Sequence, residues 1–519
     1  MSPVLSHRLA IIWADLEHVV RSLGRGGGLF SPSIYDTAQC FRFDPPTNPW
    51  PVIEWLTSQQ QPDGGWAEAL DPRMRSLPTL AALLALKSLA YSRRATQVAI
   101  DAGIAFLYRN QWCDWLALGT DLPLGFELIL PRLLDDAREL GLPIDIAPYA
   151  AIVASGERQR SRLQRNVSAP DMAACHIWEG WGEEADPGLV DNHGTVGCSP
   201  AASAFWLSRA RANPTLAALC EQVQVGLAKA REATSSSVEG VVCTRWPMIG
   251  VERVFGLYPL LLGGMLGSHY EPTMPASLRV ALEQQLALLR DTVLGTRTDR
   301  LGKADLDQDT KTVAITLLTL GGLTLPQQII RHFEQTSLTT MSAWPDTAPR
   351  PLTSVAHSLH ALVSFGSGNC WQAYQQYLYR HQPLTGLWAS EPPHISTQYA
   401  TAQIMIALLE SGAKAAIPAM CQSLAMYQHS HGAWGIGDGC TEETAYAVLA
   451  LLAAKRHRCL PDHLAPVLIK AKHWMCDQYH PFEEEGLLLW RGKQLYRPIR
   501  IARMVELTAL IGLLHAVEE

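Results

Sequence analysis

The chain has no long run of basic residues, no uninterrupted apolar stretch of membrane-spanning length and no closely spaced cysteine pair. Each absence removes a class of function. Binding a nucleic-acid backbone needs a concentrated cationic face, whereas 42 Lys and Arg stand against 49 Asp and Glu here, a formal charge of −7. No nucleic acid is expected as a partner. A bilayer-crossing helix needs roughly 18 or more successive apolar residues, so no transmembrane segment is expected either. The first residues carry Asp15, Glu17 and His18 where the apolar part of a secretory signal would have to lie, which makes that reading untenable. Eleven Cys, among them Cys40, Cys113, Cys220 and Cys459, are scattered without a C-x-x-C spacing. That pattern argues against a zinc cluster and against a compact disulfide framework, and fits a reducing, cytoplasmic setting.

What is present is apolar and helical. At 519 residues, with 48% hydrophobic and only 18% charged residues and sixteen Trp, the chain can build two or three domains around a large apolar cavity. A small molecule is the expected partner. The residue stretches 79–89, 201–210, 312–320, 401–410 and 443–454 have wide apolar faces and are expected to be helices, separated by Gly/Pro breaks. The spacing Q-x-x-x-G-x-W recurs at Gln60 to Trp66, Gln382 to Trp388 and Gln428 to Trp434, with a degenerate copy at Asp191 to Val196. In such a repeat Gly permits a tight turn, the Gln amide satisfies exposed helix-end groups, and the Trp ring packs over the following helix. These are expected to be structural clasps rather than chemistry. Repeated helix pairs with such turns in both halves predict an all-α protein of two α/α-barrels.

Several segments resemble one family in order along nearly the whole chain. They are Ser33-Ile34-Tyr35-Asp36-Thr37-Ala38, Gln60 to Trp66, Gly125-Phe126-Glu127-Leu128-Ile129-Leu130-Pro131, Cys198-Ser199-Pro200-Ala201-Ala202, Thr441-Glu442-Glu443-Thr444-Ala445-Tyr446 and Leu489 to Pro498. The last reads L-W-R-G-K-Q-L-Y-R-P. The succession is similar to that of the class II diterpene cyclases, the copalyl diphosphate synthase type and its bacterial relatives, and more remotely to the squalene-hopene cyclases. The resemblance implies a βγ architecture of two α-barrel domains. Residues 1–25 and 240–519 would form one, residues 26–239 would be inserted as the other, and the active site would lie between them. It implies no class I domain of the ionisation type. The D-D-x-x-E run Asp135-Asp136-Ala137-Arg138-Glu139 is read as a solvated helical face rather than a metal motif.

Such enzymes protonate an alkene, which needs a neutral carboxylic acid kept protonated by burial and neighbouring carboxylates. The cluster Asp305-Leu306-Asp307-Gln308-Asp309-Thr310 stands where the resemblance places the acid motif. Clustered Asp before an apolar helix also suits an N-cap, and the helix dipole there favours ionisation. Aligned from Ala304, the donor is Asp307, with Asp305 and Asp309 as supporting carboxylates. Aligned from Asp309-Thr310, the donor position falls on Gln308. Asp307 is the expected donor.

The resemblance also implies a base and a diphosphate site. His176, in Ala174-Cys175-His176-Ile177-Trp178-Glu179-Gly180, matches the family's base, and Thr244 stands where its partner Asn would be. Loss of that Asn implies delayed deprotonation and hydride or methyl shifts, hence a rearranged halimane or clerodane skeleton such as kolavenyl. Arg162, Arg165 and Lys493 match the family's diphosphate-binding positions. Magnesium is expected as a diphosphate counterion, its ligands not located; Asp114 and Asp121 are the nearby carboxylates. The implied function is protonation-initiated cyclisation of geranylgeranyl diphosphate with the diphosphate retained, the product passing to a class I terpene synthase. Drimane formation from farnesyl diphosphate, a squalene-type cyclase and a non-catalytic prenyl-binding barrel are the alternatives.

Overall fold

The computed structural model describes residues 3–69, 72–88, 94–111, 122–166, 173–266, 273–294, 307–335, 351–366 and 371–516. Among these the chain is helical, apart from isolated bridges and one antiparallel hairpin that pairs Trp490–Arg491 with Leu495–Tyr496. Several helices are buried on every side rather than along one stripe, as inner helices of a layered assembly must be. In Thr441–Arg456 every residue from Glu442 to Ala454 is buried.

Six such helices close a ring. Ile249–Leu262, Gln308–Leu320, Leu352–Ser364, Thr397–Glu410, Thr441–Arg456 and Ile499–Ala516 pack each on the next, and the last returns to the first. Helices such as Ala276–Val293, Trp371–Arg380, Ile417–Met426 and Ala465–Gln478 alternate with them in sequence and form the outer layer, which Pro3–Ser22 joins from the other end of the chain. A smaller ring is built from Ile34–Phe43, Ser76–Lys87, Phe126–Glu139, Trp178–Trp181 and Pro200–Ala210. Each ring has its own core. One core runs from Ile34 to Leu227 with Val242, and the other joins Leu9 to Phe30 with Cys198 and the apolar residues from Ala230 onward. The smaller unit is therefore inserted into the larger, and the protein is an all-α double barrel.

The helices begin earlier than the apolar runs suggest, because their first turns are polar and capped. Ser199, Asp307 and Ser396 occupy N-cap positions and accept hydrogen bonds from the backbone N–H groups of Ala202, Thr310 and both Gln398 and Tyr399, which satisfies donors that the helix itself leaves orphaned. Gly125 illustrates the backbone constraint. It sits at φ 69° ahead of Phe126–Glu139, and a Cβ there would lie 2.4 Å from Ile177.

The Q-x-x-x-G-x-W segments at Gln60 to Trp66 and Gln428 to Trp434 act as clasps, whereas the Trp388 indole of the third copy has no partner. Gln60 donates from its amide to the carbonyls of Gly64 and Ala99, both at 2.8 Å. Gln428 does the same to Gly432 and Val467, both at 2.9 Å. The Trp66 and Trp434 indoles donate back to Leu56 and Leu424 at 2.6 and 2.7 Å, and their backbone N–H groups donate to Thr79 and Thr444 on the following inner helices. Each clasp thus joins the preceding helix to the next. Trp434 is fully buried, so Trp434→Ala is expected to cost about 3–5 kcal/mol of stability; chemical denaturation checks this, and a loss below about 1 kcal/mol would show that the clasp is dispensable.

Candidate active site

Where the two units meet, the hairpin turn of the larger barrel enters the smaller one. Leu124 donates its N–H to Gly492 at 2.9 Å, and Tyr35 donates its N–H to the Gln494 side chain at 2.9 Å. At the tip, the fully buried Lys493 ammonium lies 3.2 Å from Asp36 and 2.6 Å from Glu179. It also donates to the Ser199 hydroxyl at 2.6 Å, and the Tyr35 ring lies 5.3 Å from its nitrogen. An ammonium has three donors, and all three are taken. This corrects the expectation that Lys493 binds substrate: two carboxylates and a hydroxyl already hold it. Burial pushes the Glu179 carboxyl above its usual range, with Lys493 opposing.

The acid cluster sits at the N-terminus of Gln308–Leu320. Asp305 lies outside the described residues. Asp307 is the N-cap, its carboxylate accepting from Thr310 N–H at 2.8 Å. The capping role foreseen as the alternative to acid chemistry is therefore real, and it does not decide the protonation state. Burial, followed by the charge of Asp309, raises the Asp307 carboxyl above the usual range, against the Thr310 hydrogen bonds and Arg245. Asp307 is nonetheless exposed. Gln308, the rival position, is the first helical residue.

Asp309 is held differently. Both its oxygens lie 3.0 Å from Nδ1 of His357, on the neighbouring inner helix Leu352–Ser364. Burial lowers the His357 pKa, but Asp309 and the Gln403 side chain outweigh it and the net shift is upward. The Asp309 carboxyl thus favours the charged form of His357. Sequence reading missed His357, whose signal is a lone His mid-helix, packed edge-on to Tyr258 with ring centroids 5.4 Å apart.

The base candidates lie on adjoining segments. His176 Nδ1 is 3.0 Å from the Gly197 carbonyl, and Trp246 donates its N–H to the next carbonyl, Cys198, at 2.9 Å, so the strands of chain bearing His176 and Thr244 flank the same turn. Burial, then Arg245 and Lys493, hold the His176 pKa well below its usual value. A neutral ring that donates from Nδ1 presents a lone pair on Nε2, and that atom has no hydrogen-bond partner. Thr244 is fully buried and its hydroxyl oxygen is likewise unpartnered. Two orphaned polar groups of this kind in one region are unusual in a folded interior. Arg245, also missed in the sequence, acts electrostatically on both Asp307 and His176.

Tyr399 lies near enough to Asp309 to be acted on by its charge. Tyr399 stacks on His394 with centroids 4.7 Å apart and meets Tyr446 edge-on at 5.0 Å, and its hydroxyl has no partner. The expected packing tryptophans Trp66, Trp388 and Trp434 are buried. Arg162 and Arg165 lie on the exposed side of Ala150–Asn166, where Arg165 donates to its own helix at Ser161. No described contact brings them to Asp307, His176 or Lys493. Among the described residues no group of three or more His, Cys, Asp or Glu could cage a metal; Asp114 and Asp121 lie outside them. The D-D-x-x-E run is helical, with Asp136 paired to Arg42 at 2.6 Å and Asp135 to Arg138 at 3.2 Å. No described helix is long and apolar enough to cross a membrane.

No family model matches the chain. It is 34% identical to the (+)-kolavenyl diphosphate synthase of Herpetosiphon aurantiacus over 97% of both chains. The chain belongs to the class II diterpene cyclases. It is also 27% identical to an ent-copalyl diphosphate synthase of a Streptomyces strain, over 92% of this chain and 91% of that one. The fold is that of the ent-copalyl diphosphate synthase from Streptomyces platensis, with a TM-score of 0.73, 24% identity and coverage of 97% and 99%.

For this cyclase the Lys493 cluster yields a stability test. Removing one partner of a buried ion pair leaves an uncompensated charge and costs about 3–5 kcal/mol. Lys493→Ala is expected to lose that much in urea denaturation, and Lys493→Ala combined with Asp36→Asn and Glu179→Gln to regain part of it. If the single variant is as stable as the parent, the cluster does not hold the two units together.

Proposed function

We propose that the protein converts geranylgeranyl diphosphate into a bicyclic diphosphate by protonating its terminal alkene, and that the diphosphate is kept. The observation that carries this reading is Asp307: a carboxyl whose pKa is raised by burial and by its neighbour's charge, beside an Asp309 held by His357, whose own pKa is raised. Neighbouring groups whose environments push their protonation states apart are the signature of assigned acid roles. Asp307 donates the proton, and Asp309 holds that proton on Asp307 by its charge. The aromatic lining excludes water and stabilises the passing carbocation through its π faces.

The neutral His176 then accepts the final proton. Thr244 stands where an amide would be and makes no hydrogen bond to His176, so the cation survives long enough for hydride and methyl shifts and the product is a rearranged halimane or clerodane skeleton. The kolavenyl product named for the Herpetosiphon relative is of that kind. Magnesium arrives with the substrate as its counterion, since that ion needs only one or two carboxylates besides phosphate oxygens and water. Chelation should accordingly raise KM more than it lowers kcat. All nine described cysteines are free, in keeping with the cytoplasm, where the product would pass to a class I terpene synthase.

Separate incubations with geranylgeranyl diphosphate, farnesyl diphosphate and squalene, followed by phosphatase treatment and mass spectrometry, test the reading. A cyclised alcohol from the first is expected. A drimane alcohol from the second alone would shorten the substrate, and no cyclised product from any of the three would leave a prenyl-binding barrel without catalysis.

Asp307→Ala should abolish turnover with the fold intact. One observation favours Asp309 as donor instead: it is the carboxyl gripped by a potential cation, which could strengthen it as an acid. Comparing Asp307→Asn with Asp309→Asn separates the two, since substantial turnover in the first and none in the second would reverse the assignment. The pH profile gives a further test. Turnover requires protonated Asp307 and is lost as pH rises through its raised pKa; Asp309→Asn removes a charge that raises that pKa, so the alkaline limb should move to lower pH.

A further inference from the structure

With Lys493 enclosed by two carboxylates and Arg162 and Arg165 turned to the exposed side of their helix, the expected cations do not supply the diphosphate site. Arg245 has the opposite situation. Its Nε is buried without a hydrogen-bond partner, and among the described residues its guanidinium makes no ion pair. Yet it is only partly buried and lies close enough to Asp307, His176 and Tyr496 to act on all three. Those groups come from the Gln308–Leu320 N-terminus, the Ala173–Ile177 turn of helix and the second strand of the hairpin. Arg245 therefore stands at the junction of the two units, inside the candidate site.

The segment that carries it is rigid. Trp246 donates its backbone N–H to Cys198 and its indole N–H to Gly26 at 2.7 Å. A Cβ on Gly27 would fall 2.1 Å from that indole nitrogen, so the ring is seated directly against the chain. Val242 and Thr37 exchange a hydrogen bond at 3.0 Å a few residues earlier. A guanidinium held by such a segment, partly buried and with no ion pair among the described residues, is suited to receive an anion. Its planar fork suits two phosphate oxygens at once.

We propose that Arg245 receives the diphosphate of the substrate. This rests on the cyclase reading above and names the group that anchors the charged end of the substrate. The anchor is a guanidinium in the connection between the barrels, not the lysine of the hairpin.

Two measurements on the full chain test it. Wild type, Arg245→Gln, Arg245→Lys and Arg162→Gln are compared in steady-state turnover of geranylgeranyl diphosphate, and in calorimetric binding of inorganic diphosphate, which does not depend on catalysis. Thermal midpoints confirm that each variant is folded. Losing two charge-assisted hydrogen bonds should raise KM and weaken inorganic diphosphate binding about 10–100-fold in Arg245→Gln, with a smaller loss in Arg245→Lys and little change in Arg162→Gln. Unchanged KM and unchanged diphosphate affinity in a folded Arg245→Gln would overturn the assignment. Should Arg245→Gln fail to fold, Arg245→Lys decides: wild-type affinity and KM there exclude the bidentate role. An inactive wild type that still binds diphosphate through Arg245 would overturn the cyclase reading and leave this site standing.

Discussion

The arrangement of this protein depends on one buried ammonium. Lys493 reaches from the larger barrel into the smaller and finds Asp36, Glu179 and Ser199 there, each on a different segment of the inserted unit. A buried ion pair is weak testimony to net stability, because desolvation consumes most of the Coulomb gain. What it supplies is registry. The groups can satisfy one another in only one relative placement of the barrels. Three separate motifs thus have a common physical purpose.

Around this joint the acid solves a conflict. A carboxylate at a helix N-terminus is favoured as the ion by the backbone N–H it accepts, whereas alkene protonation needs the neutral form. Desolvation and a second carboxylate two residues on tip Asp307 the other way. His357, whose pKa is raised, binds that second carboxylate, so the two neighbouring carboxyls are held by separate partners.

Much of the fold was legible in the sequence, because it is written in local terms. Ala- and Leu-rich stretches between Gly and Pro breaks marked the inner helices, and the Q-x-x-x-G-x-W spacing marked the clasps between them. The helix start at Asp307 was legible too, as a run of Asp ahead of an apolar stretch. What escaped notice was set by long-range packing. Nothing near Lys493 in sequence announces Asp36, 457 residues away, so a lysine in a family motif was read as a ligand for substrate. His357 and Arg245 look like an ordinary helical histidine and an ordinary loop arginine. Tyr399 and Tyr446 were overshadowed by the sixteen tryptophans, several of which the clasps had already engaged.

The larger ring draws its outer helix Pro3–Ser22 from one end of the chain and its closing helix Ile499–Ala516 from the other. On the ribosome, the inserted unit is therefore complete while the unit around it is still missing its last wall. Its two carboxylates, Asp36 and Glu179, then wait without their cation until the hairpin emerges, with Lys493 following Ser199 by 294 residues. Unpaired charges in a half-built interior keep that interior open to water. The order of translation thus delays the final consolidation of both barrels to one late event, the arrival of a single lysine.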